Sequence, residues 1–101
     1  MPDACELTRA AELAVARLHH DDESGLAGYL AVRAAVLEAV CSGGPRETAE
    51  ALLAMDRAVL DAIDLARGRL RAAIVEIVDT RRALDAYHGA PLAERVVERL
   101  G

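Results

Sequence analysis

The chain has 101 residues, 17 acidic against 12 basic, and a net charge of −5. That length makes one modest domain, and the acidic balance argues against a nucleic-acid backbone as partner. No apolar run approaches the ~18 residues of a membrane span, and the start MPDACELTRA lacks the basic and apolar regions of a signal peptide, so the expectation is a cytoplasmic protein. With no Phe and no Trp, the core must be built from Ala, Leu, Val and Ile, giving thin packing and ordinary stability. All basic residues are arginine, and Lys, Asn and Gln are absent, which reads as a nucleotide-composition bias rather than a chemical choice.

In chain order, Asp3 offers an N-cap with Glu6 three residues on, the capping-box spacing. Leu7, Ala11, Ala14, Val15 and Leu18 then form a helical stripe, predicting a helix over about 4–19. The polar run His19-His20-Asp21-Asp22-Glu23-Ser24-Gly25 predicts a break or sharp kink. A second helix, about 23–41 and capped by Asp22 or Ser24, carries Leu26, Tyr29, Leu30, Arg33, Val36, Leu37 and Val40 at the same spacing. Ser42-Gly43-Gly44-Pro45 ends it, with glycines for left-handed backbone and a proline that cannot continue the helix.

The third helix, about 46–87, dominates the chain. Leu52, Val59, Ile63, Ala66, Leu70, Ala73, Ile77, Leu84 and Tyr87 follow steps of three, four and seven residues, so one apolar stripe runs along its whole length. At ~1.5 Å per residue it would extend about 60 Å, more than a compact domain of this size needs. Gly68 marks a place where it could bend, and His88-Gly89-Ala90-Pro91 predicts its end. A short helix over about 91–100 follows, with Leu92, Val96, Val97 and Leu100 on one side; alone it is too short to be stable. The fold class is therefore all-α: an antiparallel hairpin turning at Gly43-Gly44, with a broken first arm and a detachable tail.

Chemistry-bearing residues are sparse. Adjacent residues on a helix point about 100° apart, so His19 to Glu23 do not converge on one ion, and the nearest Glu-x-x-His analogue, Asp85-x-x-His88, sits at a helix end; no metal site is expected. Cys5 and Cys41 have no histidine at helical spacing and read as free thiols, with neither catalysis nor a cofactor expected. Arg67, Arg69, Arg71, Arg81 and Arg82 are interspersed with Asp61, Asp64, Glu76, Asp79 and Asp85, a solvent face laced with ion pairs. Tyr87 reads either as a staple closing the helix end or as part of a contact surface.

Two resemblances stand beside this reading. Arg57-Ala58-Val59-Leu60-Asp61-Ala62-Ile63-Asp64 resembles the start of the all-α chorismate mutases, but mid-chain and without the family's Lys and Gln. More of the chain resembles the small flagellar type III export chaperones. The shared features are a short first helix, an acidic break at Asp21-Asp22-Glu23, Leu26-x-x-Tyr29-Leu30-x-x-Arg33 running on to Leu37, a glycine turn, and a long helix closing with Arg81-Arg82-Ala83-Leu84-Asp85-Ala86-Tyr87. That resemblance implies a small cytoplasmic chaperone holding a helical segment of an axial flagellar protein, by laying it into an apolar groove. The groove it points to is Leu70, Ile74, Ile77, Val78 and Leu84 with Arg81 and Tyr87, and Leu92, Val96 and Leu100 of the tail would fill it until a client displaced them. The alternatives are a helical hairpin that forms a homodimer through the same surface and an all-α enzyme of the chorismate-mutase kind, which the first resemblance implies.

Overall fold

The computed structural model describes residues 2–100, with side chains for residues 2–88. Its order is α1 (Ala4–Leu18), α2 (Leu26–Cys41) and α3 (Arg46–Leu100), and among the described residues there is no strand. The all-α class follows directly. By internal contacts the chain divides into residues 1–67 and residues 68–101.

Residues 1–67 form a three-helix unit. Asp3 caps α1 as expected, its Oδ1 accepting from the Glu6 N–H at 3.0 Å. Leu7, Ala11, Ala14 and Leu18 are buried along α1. Leu7, Ala11 and Ala14 meet Tyr29 and Val36 of α2 and Leu52 and Val59 of α3, with Val15, Leu26, Val32, Val40, Met55 and Ile63 packed around them. Leu7 and Val36 are fully enclosed, and burial of each is worth roughly 1.5–3 kcal/mol.

Both interhelical turns close by the same device. The Asp22 N–H donates to the Arg17 carbonyl at 2.9 Å and the Asp21 N–H to that of Leu18 at 3.0 Å, with Asp21 left-handed at φ 56°. At the other turn the Gly44 N–H donates to the Ala39 carbonyl at 3.0 Å and the Gly43 N–H to that of Val40 at 3.1 Å, with Gly43 at φ 92°. Each is a Schellman closure, which satisfies carbonyls that a helix end otherwise leaves open. The acidic run thus makes a true break rather than a kink.

Three expectations need correction. Neither Asp22 nor Ser24 caps α2: the N-cap is Gly25, which makes no side-chain cap bond, and Asp22 Oδ1 instead accepts the Ser24 N–H at 2.9 Å inside the turn. Gly25 is needed there for packing, because a Cβ on it would lie 2.8 Å from Ala14 Cα. Within α2, Leu30 and Leu37 are exposed while Val32 joins the core, since this helix is apolar on nearly every side and spacing alone does not choose its inner face.

The third correction concerns the end of α3. The helix is continuous from Arg46 to Leu100, without the expected stop at His88-Gly89-Ala90-Pro91 or a separate helix over 91–100. Glycine and proline weaken a helix rather than forbid it: Pro91 lacks the one N–H that would donate to residue 87, and the Ala, Glu, Arg and Leu that follow are strong helix formers. With no turn before it, the tail continues α3 and does not fold back over Leu70 to Leu84. The side chains of Leu92, Val96 and Leu100 lie outside the described residues.

Candidate functional site: an apolar helical face and a buried-edge ion pair

Residues 68–88 are all exposed. Leu70, Ile74, Val75, Ile77, Val78, Leu84 and Tyr87 show between 41% (Val78) and 86% (Tyr87) of their surface to solvent. Isolated exposed leucines are ordinary, but Leu70, Ile74, Ile77, Val78 and Leu84 recur at helical spacing along one side of a 21-residue stretch, with Val75 turned away from them. Arg81 is exposed among them, where its aliphatic stem extends the apolar surface and its charged head stays wet. The structure therefore places Leu70, Ile74, Ile77, Val78, Arg81, Leu84 and Tyr87 on one exposed helical stretch, and adds Val75. Tyr87 does not serve as a staple: its ring packs edge-on against His88, with centroids 5.5 Å apart at 79°, and is otherwise open.

The stripe read from the sequence has different environments in its two halves. Leu52 and Val59 are buried and Ile63 is partly buried, while Leu70, Ile77 and Leu84 continue the same seven-residue register uncovered. Within residues 1–67 the stripe has helices to pack on. Within residues 68–88 it has none.

One residue that matters was hidden in that stripe. Asp56 stands four residues after Leu52 and three before Val59, where the pattern calls for an apolar side chain. Its carboxylate accepts from the Tyr29 hydroxyl and from Arg33 Nε, at 2.8 Å to Oδ1 and 3.0 Å to Oδ2. The Arg33 hydrogen bond, helped by that of Tyr29, holds the Asp56 carboxyl below the usual carboxylate range in spite of partial burial. Burial and the same hydrogen bond push the Tyr29 hydroxyl well above its ordinary value, and the bond to Asp56 raises Arg33. The network ties α2 to α3 and orients both; its signal in the sequence was a lone carboxylate at a stripe position.

The remaining candidates stay apart. His19, His20, Asp21, Asp22 and Glu23 are exposed, and among the described residues no group of three His, Cys, Asp or Glu side chains is placed to hold a metal ion. Arg57, Asp61 and Asp64, the charged residues shared with the mutase pattern, are exposed on α3, and Ile63, also shared, packs against the core. A recess of about 330 Å³ lies elsewhere, lined by Ala4, Cys5, Thr8 and Arg9. Cys5 and Cys41 are exposed free thiols. Among the described residues no helix is long and apolar enough to cross a membrane. No family model matches the chain, and neither a curated protein nor a solved structure matches it.

Proposed function

We propose that this chain is a binding protein that captures an amphipathic helix of another polypeptide on the Leu70–Tyr87 face of α3. The observation carrying this reading is the run of seven exposed large apolar side chains in residues 68–88, a stretch in which no side chain is buried. Helix-in-groove recognition uses such a surface, with anchors at three-, four- and seven-residue steps on both partners. Binding alone accounts for the surface, without a cofactor or catalytic group. The resemblance of the Leu26–Leu37 and Arg81–Tyr87 segments to flagellar type III export chaperones narrows the partner to an axial flagellar protein, held in the cytoplasm until export.

The test is a titration of the full chain with a helical segment of an axial flagellar protein. Ile77→Glu is expected to weaken binding by about 100-fold, as loss of a central interface anchor does. Leu13→Glu, at an exposed leucine on α1, is expected to leave it unchanged. Equal binding by the wild type and Ile77→Glu would overturn the proposal.

A further inference from the structure

A second apolar surface lies within residues 1–67. On α2, Leu30 and Leu37 flank Arg33 at three- and four-residue steps; on α3, Leu53 and Leu60 flank Asp56 in the same way. Arg33 and Asp56 are bonded across the seam, so the antiparallel register brings Leu37 level with Leu53 and Leu30 level with Leu60. All four leucines are open, at 58%, 37%, 71% and 59% for Leu30, Leu37, Leu53 and Leu60. The seam is thus an apolar strip on the outer side of the α2–α3 pair, centred on an ion pair that is already satisfied.

We infer that this leucine seam is a docking site for residues 68–88 of a second copy of the chain. Charge complementarity selects that occupant. Residues 1–67 hold twelve acidic against six basic side chains, whereas residues 68–88 hold four arginines, Arg69, Arg71, Arg81 and Arg82, against three acids. Near the seam's leucines in sequence, Glu38, Asp61 and Asp64 are exposed, against Arg57 between Leu53 and Leu60, while Glu50 is paired with Arg46; the balance stays acidic, so an arginine-bearing apolar helix meets an acid-rich apolar strip. The contact joins two unlike surfaces, both present on every copy. It covers at once the leucine seam and the 68–88 face, and lays a third helix along α2 and α3. A client and a second copy would compete for the same 68–88 face, so the association is read with no client present.

The experiment is sedimentation of the full-length wild type, of Leu53→Glu, of Ile77→Glu and of an equimolar mixture of the two variants, with helical content checked by circular dichroism. The wild type is expected to sediment at twice its 10.7 kDa mass or more, each variant alone to weaken association by about 100-fold, and the mixture to regain it. Regain is the diagnostic result: the mixture contains one intact seam and one intact 68–88 segment on different chains. A wild type that stays monomeric at millimolar concentration would overturn the inference while leaving the client reading untouched. So would an association disrupted by Ile77→Glu but not by Leu53→Glu, which means that the 68–88 segments pair with each other, or a mixture that stays monomeric, which means that an intact seam does not take up an intact 68–88 segment. Leu60→Glu and Leu84→Glu provide a second pair if either first variant loses its helical signal.

Discussion

Arg33 Nε lies 2.8 Å from Oδ1 and 3.0 Å from Oδ2 of Asp56, on a carboxylate that also accepts the Tyr29 hydroxyl. Two donors one helical turn apart on α2 therefore converge on one acceptor of α3. The pair is partly open to solvent, at 35% and 22% of side-chain surface, so its Coulomb energy is screened. The hydrogen bonds set its worth. Asp56→Ala strips both donors of their acceptor and is expected to destabilise the chain by about 1–3 kcal/mol in denaturant unfolding, and Tyr29→Phe by about 0.5–1.5 kcal/mol.

The same network fixes a pH profile. Asp56 is held below its unfolded range, so it contributes stability that is fully present above pH ~4 and is lost as pH falls through the folded value. Tyr29 is raised, so its contribution is present below pH ~10 and is lost as pH climbs toward the folded value. Unfolding free energy should thus be flat between about pH 5 and 9 and fall on both sides. Tyr29→Phe should shrink the alkaline fall and Asp56→Asn the acid fall, each measured by urea unfolding across pH. An alkaline arm unchanged in Tyr29→Phe would contradict the assignment.

Two glycines should respond in opposite directions. Gly25→Ala places a Cβ 2.8 Å from the Ala14 backbone, forcing α1 and α2 apart, and is expected to destabilise by about 1–3 kcal/mol. Gly68 has nothing within 4 Å of the added Cβ and lies inside α3, so Gly68→Ala is expected to stabilise by up to about 1 kcal/mol. Thermal melts of both variants against the wild type check the pair.

These residues also show where the sequence was legible. The inner face of α1 could be read because Leu7, Ala11, Ala14 and Leu18 are its spaced apolar positions and charged residues fill much of the remainder. The inner face of α2 could not, because apolar side chains surround the helix; Leu30 and Leu37 looked like core and became surface. Gly25 looked like a loop residue beside a better cap, yet its role is set by Ala14, eleven positions earlier, which no local pattern reveals. The Leu70–Leu84 stretch was visible as a stripe, but its spacing does not differ from that of Leu52 and Val59, so exposure could not be told from burial. The helix stop at Gly89 and Pro91 failed because a glycine and a proline, about 1 and 3 kcal/mol worse than alanine, raise the cost of a helix without forbidding it.

Core and face should separate cleanly in stability. Leu7→Ala removes a fully enclosed side chain and is expected to cost about 2–5 kcal/mol. Ile77→Ala, at an open position, should change the stability of the monomer by less than about 0.5 kcal/mol. Denaturant unfolding at low protein concentration keeps any association out of the comparison.

The most direct measurement is amide hydrogen exchange, residue by residue, on the chain alone at low concentration and again saturated with an amphipathic partner helix. The account predicts that protection over residues 68–88 is low in the free chain and rises on binding, while α1 changes little. Full protection of residues 68–88 in the isolated monomer, or a rise confined to residues 1–67, would contradict it.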